Sequence, residues 1–170
     1  MRTIVVDDYN PAWPEEFEKI KAYLWPRIGH LALDIVHVGS TSVPGLAAKP
    51  IIDFVIVLES RDALPALIAQ LNALGYIHKG DQGIVGREVF KRRISDEFMA
   101  YHMYASAKEG LELERHLLFR DYLRRHDGAR DAYAALKRAL AERHRHDIDA
   151  YIAGKHDFVE HIIRLAREHA

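Results

Sequence analysis

The sequence contains no cysteine. This absence excludes disulfides and every zinc or iron–sulfur site that depends on thiolate ligands. An excess of charge of one sign is also lacking, because 24 lysines and arginines face 25 aspartates and glutamates, for a net charge of -1. Such a balance gives no global attraction to nucleic acid or to a membrane surface. It remains compatible with a basic patch confined to one site.

Long hydrophobic runs are missing as well. The longest, Ile51 to Leu58, is interrupted by Asp53 and is far too short to cross a bilayer. The first residues, MRTIVVDDYNP, show neither the apolar core nor the cleavage site of a signal peptide. We therefore expect a cytoplasmic protein with no membrane partner. The chain has 170 residues, 49% of them hydrophobic, which is enough for one domain with a real core.

Hydrophobic spacing predicts one helix, then strands with a second helix among them, then a helical C-terminal half. Strands are expected at residues 34–38, 51–58, 84–94 and 98–105, and the last two can pair as a hairpin. C-terminal helices are expected at about 111–126, 129–143 and 147–168, with Gly128 separating the first two. This order indicates an α+β or mixed-sheet α/β architecture. It leaves open whether the helical half packs on a sheet face or forms a subdomain.

A loop rich in glycine and hydroxyl groups lies between the first two strands. Gly39 allows a close approach of another backbone or of a ligand. The hydroxyls of Ser40, Thr41 and Ser42, together with nearby N–H groups, suit phosphate oxygens. The loop is not a Walker A sequence, because Gly45 is followed by leucine and not by lysine. We interpret it as a candidate phosphate-binding loop.

Asp53 is the strongest single candidate for a functional residue. On an extended strand it shares a face with Val55 and Val57, and both faces of that strand are otherwise apolar. An ionised carboxylate in such a place is costly unless it is paired or binds a metal. Asp53 is therefore a candidate catalytic and metal-binding residue, and the nearby Lys49 a candidate phosphate ligand. The alternative is a structural aspartate that caps a turn or pairs with Lys49 or an arginine.

Five further residues are candidates, each with a plain alternative. His102 on a later strand suits an acid, a base or a metal ligand, or is an ordinary sheet histidine. Lys91 and Arg93 would face the same way and could neutralise phosphate, or are solvated surface charges. Arg120 and Arg124 lie four apart on one helix face, where they form an anion clamp or a surface salt-bridge ladder.

The segment GSTSVPGLAAKPIID, Gly39 to Asp53, resembles the signature of the GrpB family. Further similar segments follow the same order along the chain: the Trp13-Pro14 start, GREVFKRR at 86–93, HLLFRDYLRRH at 116–126, YAALKRALA at 133–141 and DIDAYIAGKHDFV at 147–159. The resemblance covers almost the whole chain. It implies one GrpB-like domain over residues 1–170, with a nucleotidyltransferase-like mixed sheet in 1–108 and a helical extension in 109–170.

GrpB proteins are similar to the nucleotidyltransferase superfamily, in which a Gly-Ser pair helps hold the triphosphate and an acid-x-acid pair binds magnesium. The resemblance therefore assigns phosphate to Gly39 and Ser40, and magnesium to Asp53. Val55 occupies the place of the second acid, which departs from the pattern of a two-metal site. In the strand of His102 only the first histidine of the family's His-x-His is retained.

Two functions follow as expectations. The first is a nucleotide- or phosphometabolite-binding protein, in its active form a magnesium-dependent nucleotidyltransferase of unknown substrate. The second is a non-catalytic folding or regulatory module, because GrpB-like domains resemble the extra domain fused to some dephospho-CoA kinases. A protein partner or a homodimer is compatible with both. Nucleic-acid binding would rest only on residues 91–93, without a basic stripe interleaved with aromatics, so we expect no nucleic-acid partner.

Overall fold

The protein is described by a computed structural model that covers residues 2–93 and 95–169. Its helices are α1 (Ala12–Ile28), α2 (Leu64–Ala73), α3 (Leu111–Arg125), α4 (Asp127–Arg143) and α5 (Ile148–Glu168). Its strands are β1 (Asp34–Val38), β2 (Ile52–Leu58), β3 (Tyr76–His78), β4 (Glu88–Arg92) and β5 (Tyr101–Ala107). None of the helices in the described part is long and apolar enough to span a membrane.

The strands form one mixed sheet in the order β1-β2-β5-β4-β3. β2 and β5 run parallel, and the other neighbouring pairs are antiparallel. The α+β class expected from the order of elements is therefore confirmed. The parallel pair matters most for function, because it brings the beginnings of two distant strands to the same edge of the sheet.

The two faces of β2 are buried against different helices. Phe54 and Ile56 belong to a core shared with α1 and α2. Val55 and Val57 point to the opposite face, where they pack with Leu113 of α3. A strand covered on both faces needs apolar residues at nearly every position, which explains the hydrophobic run that Asp53 interrupts. The open question about the helical half is thus answered for α3, which packs on the second sheet face.

The remaining helices enclose the loop between β1 and β2. Val43 and Leu46 of that loop share a core with Leu123 of α3, Tyr133 of α4 and Ile162 of α5. Burying these side chains removes apolar surface from water and so fixes the loop against the helical half. The loop is therefore held between the sheet and helices that come much later in the chain.

The strand predicted at 84–94 is shorter in the structure. β4 begins at Glu88, because Gly83 and Gly86 have φ values of 87° and 86° and form a turn before it. Position 94 lies outside the described residues. β4 and β5 pair antiparallel, so the predicted hairpin is confirmed, and β5 extends to Ala107 instead of ending at 105.

One helix boundary and one strand also differ from expectation. The break between α3 and α4 falls at His126, whose φ of -129° and ψ of 90° are extended. Gly128, predicted to be the break, lies inside the first turn of α4. The short edge strand β3 was not predicted, since three residues are too few for an alternating pattern to be recognised.

Candidate functional site

The loop after β1 turns sharply at Gly39. Its φ of 74° and ψ of -177° lie in a region used almost only by glycine. A Cβ added to Gly39 would lie 2.5 Å from Asp53 Oδ2, so a side chain would also collide with the carboxylate. Residues Ser40–Ser42 then form a single 3-10 turn. The loop consequently passes directly beside Asp53.

The three loop hydroxyls have different partners. Ser42 Oγ donates to a main-chain carbonyl inside the loop at 2.5 Å. Thr41 Oγ1 lies 2.9 Å from His37 Nε2, and both Thr41 and Ser42 are buried. Ser40 Oγ instead accepts a hydrogen bond of 2.9 Å from the ammonium group of Lys137. Thr41 and Ser42 therefore shape the loop, whereas Ser40 is joined to a cation.

His37 supports this loop as a neutral group. Its ring stacks on Phe17, with 4.7 Å between ring centroids. Burial lowers the pKa of His37 to about 4, and the charges of Arg124 and Arg120 lower it further while Asp53 opposes them. At neutral pH the imidazole is uncharged, so it acts as a hydrogen-bond partner for the loop and not as a cation.

Arg120 and Arg124 of α3 contact the end of β1 and the 3-10 turn that follows it. Arg120 Nη1 donates to the carbonyl oxygen of His37 at 2.9 Å, and Arg124 Nε donates to that of Ser42 at 2.9 Å. The two arginines are not among the described residues that line the cleft beside Asp53. One N–H group of each arginine already donates to a main-chain carbonyl. The anion clamp expected for Arg120 and Arg124 stays a prediction.

A cleft of about 360 Å³ opens between the beginnings of β2 and β5 and the helices α4 and α5. Four cationic side chains line it, and Asp53 is the carboxylate among the described lining residues. The cations are Lys49, Arg87, Lys137 and Lys155. The cleft is therefore positive although the whole chain is nearly neutral, and a charged concave site of this kind concentrates anions.

Burial disfavours the charged form of all three lysines. It lowers the pKa of Lys137 to about 7, with further lowering from the charges of Lys155 and Lys49. The pKa of Lys155 is lowered to about 8, first by burial and then by Lys49, against the attraction of Asp53. Burial also lowers the pKa of Lys49. A bound anion would relieve both the desolvation and the mutual repulsion of these ammonium groups.

The lysines differ in how firmly they are held. Lys137 is 2% exposed and donates to Ser40 Oγ and to the main-chain carbonyl of Ala47. The ammonium groups of Lys155 and Lys49 stand 4.7 and 5.2 Å from the ring centroid of Tyr151. Lys137 is thus fixed in one position, while Lys49 and Lys155 can reorient toward a ligand.

Asp53 and His102 face each other across the parallel pair β2 and β5. The strand register aligns the two residues, and His102 Nδ1 lies 2.8 Å from Asp53 Oδ1. The side chain of His102 is 51% exposed and that of Asp53 26% exposed. The carboxylate therefore borders the cleft and is not sealed in a dry ion pair. A carboxylate that orients a histidine is an arrangement suited to proton transfer.

The donors around Asp53 do not fit a magnesium site. Val55, in the place of the second acid, is 2% exposed and packs with Val38 and Leu113. One Asp53 oxygen contacts His102, whose nitrogen is a poor ligand for an ion that prefers oxygen in octahedral geometry. Within residues 2–93 and 95–169 no group of three histidine, aspartate or glutamate side chains is placed to hold a metal. The magnesium implied by the resemblance lacks its ligands here.

The basic residues around β4 separate into two groups. Arg87, just before the strand, lines the cleft. Lys91 and Arg93 are exposed and are not among the described residues of the cleft lining. Lys91 instead borders a neighbouring groove with His102. The phosphate role expected for Lys91 and Arg93 therefore stays a prediction, whereas Lys49 and Ser40 lie where a phosphate could reach them.

Sequence reasoning missed Lys137 and Lys155, although a signal for them exists. Tyr133, Lys137 and Leu140 lie on one buried stripe of α4, at spacings of four and three residues. Lysine is almost never fully buried unless it is paired, so a lysine inside an apolar stripe indicates a specific partner. Lys155 likewise follows the buried Tyr151 by one helical turn on α5.

The chain matches a known family along nearly its whole length. The family model described as GrpB protein matches residues 3–165. The chain belongs to the GrpB family. Among GrpB relatives, it is 31% identical over 163 residues to glutamate-rich protein GrpB of Alkalihalophilus pseudofirmus, and the match covers 94% of each chain.

Some relatives of this GrpB chain are longer proteins. It is 40% identical over 159 residues to UPF0157 protein YqkA of Bacillus subtilis, covering 94% of this chain and 46% of YqkA. It is also 31% identical over 182 residues to a dephospho-CoA kinase of Mycolicibacterium paratuberculosis, covering 92% of this chain and 44% of the kinase. The chain thus spans less than half the length of these two relatives.

Several solved structures share the fold of this GrpB chain. The crystal structure of GrpB from Enterococcus faecalis matches with a TM-score of 0.83 and 36% identity, covering 95% of this chain and 96% of that one. Cid1 in complex with its short product ApU matches with a TM-score of 0.56 and 14% identity, covering 81% of this chain and 43% of Cid1. At that identity the likeness to Cid1 concerns the fold alone.

Proposed function

We propose that this GrpB chain binds a nucleotide or another phosphorylated small molecule in the cleft beside Asp53. The observation that carries the proposal is the convergence of Lys49, Lys137 and Lys155 with Ser40 on one concave site. Phosphate oxygens accept strong charge-assisted hydrogen bonds from ammonium groups. A bound phosphate would also offset the burial and the mutual repulsion that lower the pKa values of Lys137 and Lys155.

The fold supports a nucleotide as the class of ligand. Cid1, which shares the fold, has solved structures with the short product ApU and with the UTP analog UMPNPP. In the GrpB chain the cleft borders the Gly39-Ser40 turn and the beginning of β2. Its volume of about 360 Å³ lies within the range of small-molecule sites.

A transfer reaction is the finer part of the proposal, with Asp53 and His102 as its catalytic residues. His102 would accept a proton from an attacking hydroxyl, whose oxygen bonds the α-phosphorus of a nucleoside triphosphate as the bond to pyrophosphate breaks. Asp53 would orient the imidazole through Nδ1. Lys49 and Lys155 would offset negative charge that develops on the phosphate oxygens. No step is assigned to magnesium, because Val55 removes a carboxylate that would hold the ion.

Binding is tested by calorimetric titration of ATP, GTP and CoA into the wild type and into Lys155→Met. Loss of one charge-assisted contact should weaken binding roughly tenfold or more. Lys19→Met is the matched control, because Lys19 lies on the exposed surface of α1 and its loss changes the net charge equally. If Lys155→Met binds every ligand as tightly as Lys19→Met does, the cleft is not the binding site.

Transfer is tested separately by mass spectrometry of nucleotide mixtures after incubation with the protein. We expect nucleotidyl-transfer products from the wild type and none from His102→Gln, which keeps the size of the side chain but removes its base. Products that form equally with both proteins would exclude His102 from catalysis. Binding without any product would leave a ligand-binding protein.

A second function is favoured by the match to a dephospho-CoA kinase. In that kinase a region resembling nearly the whole GrpB chain accounts for 44% of the length. This supports a folding or regulatory module that acts on such a kinase. We expect the GrpB chain to raise the yield of active dephospho-CoA kinase during refolding, more than serum albumin does at equal mass. Equal yields of active kinase with both additives would argue against a folding module. Whether the chain forms a homodimer stays a prediction, which light scattering can test.

A further inference from the structure

The cleft already contains the positive charge that a divalent ion would bring to a phosphate. In metal-dependent phosphoryl sites the ion contacts phosphate oxygens and is itself held by carboxylates. In this cleft cations outnumber carboxylates, because four cationic side chains line it beside the carboxylate of Asp53. The positive charge of the cleft is therefore supplied by side chains of the protein itself. Few carboxylates are present to bind a metal ion in addition.

The two oxygens of Asp53 are both constrained. Oδ1 lies 2.8 Å from His102 Nδ1, and Oδ2 lies against Gly39, where even a Cβ would have no space. The position two residues later on the same sheet face is Val55, packed in an apolar cluster. Another carboxylate nearby, Glu112, borders the adjoining cavity and pairs with Arg115 on its own helix.

The cationic side of the cleft is organised by packing. Lys137 is buried and donates to Ser40 Oγ and to the carbonyl oxygen of Ala47. The ammonium groups of Lys49 and Lys155 both lie near the Tyr151 ring, at similar distances from its centroid. Ammonium groups placed in this way can donate to several phosphate oxygens at once, as a bound cation would.

We propose that the cleft binds the phosphate groups of its ligand without a divalent cation, with Lys49, Lys137 and Lys155 in place of the ion. This inference rests on the proposed function, because it describes how the same cleft holds a phosphorylated ligand. A metal-free triphosphate carries more negative charge than its magnesium complex. It is therefore the better match for a cleft with four cations and one carboxylate.

The test is a titration of the full chain with ATP and with inorganic tripolyphosphate, once in EDTA and once in excess magnesium. We expect both probes to bind in EDTA, at least as tightly as in magnesium. Binding that appears only with magnesium would overturn the metal-free inference and leave the proposed function standing. Absence of binding in both conditions would remove the proposed function and the inference with it.

The variant Asp53→Asn distinguishes ligand binding through a metal ion from binding by the lysines alone. If Asp53 holds an ion, the substitution weakens binding in magnesium and leaves binding in EDTA unchanged. In the metal-free cleft the negative charge of Asp53 repels the phosphate, so its neutral isostere should bind ATP in EDTA a few-fold more tightly. Lys155→Met should weaken binding in EDTA roughly tenfold, and it provides a second variant at a half-exposed position if Asp53→Asn folds poorly.

Discussion

Lys137 shows how one buried side chain can couple folding to pH. In the unfolded chain a lysine has a pKa of about 10.4. In the folded protein, burial and neighbouring lysines lower the pKa of Lys137 to about 7. Between these values the unfolded state binds more protons than the folded state. The contribution of Lys137 to stability therefore rises with pH across this interval and levels off below about pH 7, where both states are protonated.

We predict that Lys137→Met reduces this pH dependence. The free energy of unfolding should increase from pH 7 to pH 9.5 by more in the wild type than in the variant, because only two of the three cleft lysines, Lys155 and Lys49, still have lowered pKa values in the variant. Urea denaturation across this range measures the slope, with Lys19→Met as the control for net charge. Equal slopes for Lys137→Met and wild type would show that Lys137 does not titrate as its burial implies.

At the scale of elements, the loop between β1 and β2 depends on distant helices for its shape. Arg120 and Arg124 of α3 donate to the carbonyls of His37 in β1 and Ser42 in the loop, and Lys137 of α4 donates to Ser40 between them. Its sharp turn is local, however, because the backbone of Gly39 adopts a conformation that other residues rarely reach. Local conformation and long-range contacts therefore act on the same few residues.

We predict that Gly39→Ala destabilises the protein by about 3 kcal/mol or more, because backbone strain and the collision with Asp53 add together. Gly83→Ala is the matched control, since Gly83 also has a positive φ but an added Cβ meets nothing within 4 Å. That control should cost about 1 kcal/mol. Equal losses in urea denaturation would mean that strain alone, and not the contact with Asp53, requires glycine at position 39.

At the scale of the whole molecule, the sheet and the helical half share two sets of hydrophobic contacts, one on a face of β2 and one at the loop between β1 and β2. α3 covers one face of β2, and Val43 and Leu46 of the loop lie in the core formed by α3, α4 and α5. The helical half buries part of its apolar surface only against these residues of the sheet and the loop. The molecule should therefore unfold as one cooperative unit.

The two tryptophans make this cooperativity measurable. Trp13 and Trp25 both lie in α1, so their fluorescence reports on the sheet side of the molecule. Far-UV circular dichroism is dominated by the helices, most of whose residues lie in α3, α4 and α5. We predict coincident urea transitions by the two signals. Two separated midpoints would instead show that residues 1–108 and 109–170 unfold independently.

The sequence alone determined the features that depend on local chemistry. Hydrophobic spacing located β1, β2 and the C-terminal helices to within a few residues, because each pattern reflects which faces an element buries. The wrong helix boundary has an equally local cause. Glycine often ends helices, so the sequence predicts the break between α3 and α4 at Gly128, whereas the extended backbone lies at His126. Asp53 stood out because a charge on an apolar strand needs a compensating partner or ligand.

Only the tertiary structure decided which side chains meet. Lys137 contacts Ser40 from 97 residues away, and no local pattern encodes how α4 lies across the loop. The same packing turned Arg120 and Arg124 toward main-chain carbonyls and brought Lys155 to the cleft beside Asp53. The physical reason is that secondary structure follows from short-range periodicity, whereas convergence of charges depends on how several buried faces fit together at once.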